Sequence, residues 1–120
     1  MVRVLIVDDS LLAEHALKSY FMKLDHEVIG LAKTGEIGQE MYEEYEPDLV
    51  TVDAVMPGMS GQDYIKYLNK KEKEKGKKTT ILMISSDEIS EEEASQIRVD
   101  KYLVKPITLD KMRQALEEIL

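Results

Sequence analysis

Short apolar runs alternate with amphipathic stretches along the whole chain. Residues 4–7, Val-Leu-Ile-Val, stop at Asp8-Asp9, the pattern of a strand buried on both faces. Behind it Ala13, Ala16, Leu17, Tyr20, Phe21 and Leu24 recur at helical spacing and form one face of a first helix. Residues 28–32 read as a second strand. Thr34 can cap a second helix whose inner face is expected to hold Ile37, Met41 and Tyr45, and Pro47 stops it. Residues 49–52 form a third strand ending at Asp53, followed by a loop at 56–61 dense in turn residues. Tyr64, Ile65 and Leu68 mark a third helix, which runs out in a lysine tract at 70–78. Residues 80–84 are a fourth strand ending at Ser85-Ser86. Ser90 with Glu93 three residues on is a capping-box pattern and opens a short fourth helix. Tyr102-Leu103-Val104 is a fifth strand ending at Lys105-Pro106, and Met112, Ala115, Leu116 and Ile119 are the inner stripe of a last helix.

Five strands alternating with five helices predict an α/β fold with a doubly wound parallel sheet, because parallel strands need helical crossovers of one hand. Ligands of such sheets bind beyond the carboxyl ends of the strands. The residues there are Asp8 and Asp9, Asp53, Ser85 and Lys105, distant in sequence but gathered by the fold at one edge. Three clustered carboxylates raise one another's pKa unless a cation compensates. Lys105 is one such cation, and a bound divalent metal is the other. An oxygen-rich set without His or Cys suits Mg²⁺ or Mn²⁺ better than zinc.

Composition narrows this further. The 120 residues suit one domain, 1–120. Sixteen Lys and Arg against 24 Asp and Glu give a net charge of −8, which argues against a nucleic-acid partner. The absence of cysteine excludes a disulfide scaffold, a zinc ribbon and a thiol nucleophile. No apolar run approaches the roughly 18 residues of a membrane helix, and no signal-peptide pattern opens the chain. A cytoplasmic monomer is expected.

The strand ends, taken as a set, resemble a known family. Val7-Asp8-Asp9-Ser10, Val52-Asp53 with Met56-Pro57-Gly58 behind it, Ile84-Ser85-Ser86 and Tyr102-Leu103-Val104-Lys105-Pro106 look like the receiver domain of bacterial response regulators, across the whole chain and in order. The resemblance implies a flavodoxin-like strand order 2-1-3-4-5. It implies that Asp53 is a phosphoacceptor for a sensor histidine kinase. Mg²⁺ (or Mn²⁺) would be held by Asp8, Asp9, Asp53 and the Val55 backbone carbonyl. It implies that Lys105 contacts the phosphoryl group, that Ser85 is a switch hydroxyl and Tyr102 an aromatic switch, and that Pro106 follows a cis bond. The α4-β5-α5 face would then be repacked for a partner. A receiver without an output domain is expected, so the partner is expected to be a protein, such as a flagellar switch component in chemotaxis or a phosphotransfer protein in a relay. No catalysis is expected beyond the chain's own phosphorylation and dephosphorylation.

Other readings fit less well. An aspartyl-phosphate phosphatase commonly has an Asp two residues after its nucleophile, where this chain has Val55. A flavin carrier needs a phosphate-cradling loop after strand one, where Asp8-Asp9 would repel phosphate. The chain also departs from common receivers. Arg98-Val99 stands where Gly-Ala is frequent, the stretch from Ser85 to Tyr102 is slightly short, Ser86 replaces a frequent Ala, and Val55 has no polar group to position an attacking water. The 70–78 tract, with six Lys and two Glu, reads as a solvated helix end, and His15 and His26 as surface residues.

Overall fold

The computed structural model describes residues 1–120. In chain order the elements are β1 (Arg3–Val7), α1 (Leu11–Lys23), β2 (Glu27–Ala32), α2 (Gly35–Tyr45), β3 (Leu49–Asp53), α3 (Gly61–Lys75), β4 (Thr80–Ser85), α4 (Glu91–Ser95), β5 (Lys101–Val104) and α5 (Leu109–Ile119). The five strands form one sheet in the order β2-β1-β3-β4-β5. Every pairing is parallel. Each helix starts at a serine or threonine whose hydroxyl accepts an amide three residues on: Ser10, Thr34, Ser60, Ser90 and Thr108.

Strand side chains alternate between two apolar layers. Leu5, Val7, Val50, Val52, Ile81 and Met83 face one layer with Tyr64, Ile65 and Leu68 of α3. Val4, Ile6, Leu49, Leu82 and Ile84 face the other with Leu17 and Phe21 of α1 and Met112, Ala115 and Leu116 of α5. The continuous apolar runs of the central strands follow from this double coverage.

Two expectations need correction. The inner face of α2 is Gly35, Gly38 and Tyr42, with Met41 half-buried, while Ile37 and Tyr45 are exposed. The helix is rotated because α3 approaches closely: the Tyr64 hydroxyl donates to the Gly38 carbonyl at 2.9 Å. A Cβ on Gly38 would meet the Tyr64 ring at 3.0 Å. His26 is not a free surface residue either. It is half-buried, its Nδ1 accepts the Val2 amide at 3.1 Å, and its ring meets Phe21 edge-on.

The departures near β5 have a structural role. Arg98 binds the Glu72 carboxylate on α3, the Asp100 carboxylate and the Thr79 carbonyl. Asn69 of α3 pairs with both backbone groups of Arg98, and Asp100 accepts the Ile81 amide. The chain entering β5 is thereby fastened to α3 and β4. The α4 helix before it is only five residues long and buries nothing. Within the lysine tract, Lys71 and Lys75 pair with Glu43 of α2 and Lys78 pairs with Asp100.

Candidate functional site

Strand register brings the expected residues to one edge. Val7 of β1 lies beside Val52 of β3, so the next residues, Asp8 and Asp53, are neighbours. Asp53 pairs with Ile84 of β4, one residue before Ser85. Ser85 pairs with Val104 of β5, and the Lys105 amide donates to the Ser85 carbonyl at 2.8 Å. The Lys105–Pro106 bond is cis.

Close packing fixes the backbone under Asp53. The Gly61 amide donates to the Ala54 carbonyl at 3.1 Å. A Cβ on Gly61 would lie 2.2 Å from the Asp53 carbonyl oxygen, so α3 can begin against this strand end only with glycine.

Asp8 and Asp53 are buried and Asp9 is exposed. One carboxylate oxygen from each lies within 4.8 Å of the others. The Lys105 ammonium stands 3.5 Å from Asp53 Oδ1. Asp8 Oδ1 accepts the Ser10 amide at 2.8 Å, and the Val55 amide points at Asp53 Oδ1 from 3.5 Å. Burial pushes the Asp8 carboxyl above its ordinary range, while the Ser10 amide and Lys105 pull it back. Burial and then the Asp8 charge push Asp53 up to about 6, against the pull of Lys105. Three carboxylates against one ammonium leave the cluster two charges short of neutrality when all are ionised. An all-oxygen, electron-rich set of this kind fits one divalent hard cation.

Ser85 is half-buried at the end of β4, and its hydroxyl accepts the Asp87 amide at 3.2 Å. Tyr102 is half-buried beside Met83 and packs against the α3-side layer, and burial raises its phenol pKa. The Val55 side chain is exposed, and its carbonyl belongs to the loop that leaves Asp53. Every site residue expected from the sequence therefore lies at or beside the same sheet edge.

One neighbour escaped the sequence reading. Glu14 of α1 is 1 % exposed, with Oε1 3.5 Å from the Lys33 ammonium and Oε2 without a partner. Burial raises its pKa against the pull of Lys33. Its signal was its place at i−3 from Leu17 and i−7 from Phe21, on the buried stripe.

A family model described as "Response regulator receiver domain" matches residues 4–117. The chemotaxis protein CheY of Thermotoga maritima is 33 % identical over 117 residues, covering 98 % of this chain and 96 % of that protein. The structure of the chemotaxis protein CheY4 of Vibrio cholerae superposes with a TM-score of 0.89 at 25 % identity, covering 100 % of this chain and 99 % of that one. The response regulator protein TrrA of Thermotoga maritima, solved in complex with Mg(2+)-BeF, superposes with a TM-score of 0.86 at 27 % identity and covers both chains completely.

Proposed function

The chain belongs to the response regulator receiver family, and from that premise we propose that it is a phosphoacceptor signalling protein, chemotaxis-like, in a two-component system. The observation that carries this reading is Asp53, buried between Asp8 and the Lys105 ammonium at the carboxyl edge of a parallel sheet. The receiver domain is then the phosphoaccepting unit, working in the cytoplasm.

In the proposed reaction an Asp53 carboxylate oxygen attacks the phosphorus of a phosphohistidine on a sensor kinase. A P–O bond forms as the P–N bond breaks, and the imidazole leaves after taking up a proton. Asp53 is ionised for most molecules at pH 7, because its raised pKa of about 6 still lies below that. Lys105 meets a phosphoryl oxygen as a point charge, and Ser85 offers it a hydroxyl. Asp8, Asp9, Asp53 and the Val55 carbonyl would hold Mg²⁺ or Mn²⁺. When bound, that ion supplies charge neutralisation between the acidic cluster and the incoming phosphoryl group. The added charge of roughly −1.5 to −2 draws Ser85 toward the phosphoryl group, and Tyr102 turns inward behind it. The α4-β5-α5 face then changes for a downstream protein.

Incubation with Mg²⁺ and acetyl phosphate tests this reading. One phosphoryl group of about 80 Da should appear by mass and be lost in Asp53→Ala. Absence of the adduct in the Mg²⁺-loaded wild type rejects it.

A further inference from the structure

Beside Ser85 the molecule holds a groove of about 520 Å³. Its apolar lining includes Met83, Ile89, Tyr102 and Val104. Ile89 and Tyr102 are seated on the core below, and Val104 remains exposed at its edge. The volume lies within the 300–1,000 Å³ typical of built binding sites. The neighbouring α4 is little more than one turn, and the Arg98 and Asn69 contacts hold the chain after it against α3.

Acids dominate one side of the groove. Asp87, Glu88, Glu91, Glu92 and Glu93 are all exposed, and Asp87, Glu88 and Glu93 line it directly. None of the five enters an ion pair. Elsewhere the fold does supply cations, as where Lys71 and Lys75 answer Glu43 of α2. The helix N-terminus behind Ser90 accounts for Glu91, Glu92 and Glu93. It does not account for Asp87 and Glu88, which precede the cap.

We propose that this groove receives a basic, amphipathic segment of the downstream protein, its apolar side chains on the Ile89–Tyr102–Val104 surface and its lysines or arginines against the acidic rim. The proposal rests on the reading of this side as the output face and adds the chemistry of what binds there. An apolar surface with one sign of charge beside it selects the complementary sign, since like charges brought together cost affinity. A second copy of this chain is a poor occupant: its cationic tract at 70–78 exposes no large apolar side chain to fill the groove.

The test is fluorescence anisotropy on the full, unphosphorylated chain with two labelled synthetic helices. One carries a leucine face and a lysine face, and the other has glutamate for every lysine. The lysine helix should bind and the glutamate helix should not. The triple variant Glu88→Gln/Glu91→Gln/Glu92→Gln should lose about tenfold in affinity, and Val104→Ser a similar amount. A control with the same charge change on α2, Glu36→Gln/Glu40→Gln/Glu44→Gln, should lose less than about threefold. Equal loss in the control would show attraction to the net charge alone and overturn the proposal. So would binding that both groove variants leave intact, or self-association that displaces the helix. The phosphoryl adduct is measured separately by mass, so failure of the groove and failure of the acceptor reading are distinguishable.

Discussion

Asp53→Asn should stabilise the metal-free protein at neutral pH. In the fold the Asp53 pKa is raised from 3.8 to about 6. An acid whose folded pKa lies above its unfolded value favours the fold when protonated, so its contribution is lost as pH rises from about 4 through 6. At 1.36 kcal/mol per pKa unit, the full loss by pH 7.5 is about 3 kcal/mol, and by pH 4.5 only about 1 kcal/mol. Asparagine keeps the shape and removes the charge. Melting followed by circular dichroism in EDTA at pH 7.5 should show the variant above wild type by up to about 3 kcal/mol, or roughly 10 °C for a domain of this size. The gap should shrink at pH 4.5. Millimolar Mg²⁺ should narrow it at pH 7.5, because a cation bound by the folded cluster stabilises wild type by mass action. A variant that melts with or below wild type in EDTA, or a gap that ignores pH, would refute the assignment of this strain to Asp53.

Four other outcomes are expected. Gly61→Ala should lower stability by about 2 kcal/mol or more in urea melts and slow phosphorylation from acetyl phosphate, since its methyl collides with the Asp53 carbonyl. Arg98→Met should cost about 2–4 kcal/mol in the same melts, because Glu72 and Asp100, at 12 % and 13 % exposed, lose their shared cation. Glu14→Leu should be neutral or stabilising by about 1 kcal/mol in thermal melts: it removes an unsatisfied buried oxygen and frees only the exposed Lys33. Val55→Asn should speed loss of the phosphoryl group from the purified phosphoprotein, because an amide beside Asp53 can position a water; an unchanged or slower decay would count against that role.

Much of the architecture was legible because its signals are local. Apolar runs of four or five residues mark strands covered on both sides, and the serine and threonine caps sit where the helices begin. The site was legible because a parallel sheet sends every strand's next residue to the same edge, so Asp8, Asp53, Ser85 and Lys105 could be placed together without coordinates. What escaped depends on partners far away in the chain. The face of α2 turns on how near Tyr64 comes to Gly38, a contact between two helices. Glu14 sits on the apolar stripe of α1, but the cation that answers it, Lys33, is brought beside it only by the end of β2. Arg98 looked like a departure from a pattern, and its reason lies on α3, at Asn69 and Glu72.

That anchorage bounds how far a disturbance can travel along the backbone. β4 holds the chain up to Ser85, and the Asn69 pair holds it again at Arg98. Between these moorings, residues 86–96 form the only stretch on that side free of sheet pairing and of buried side chains apart from the partly seated Ile89 and Ala94. In hydrogen exchange this segment should open as one unit, faster than the strands on either side. Its length then sets the reach of the message along the backbone: a rearrangement begun at Ser85 is taken up before Arg98 and passes to β5 only across the sheet, at Tyr102.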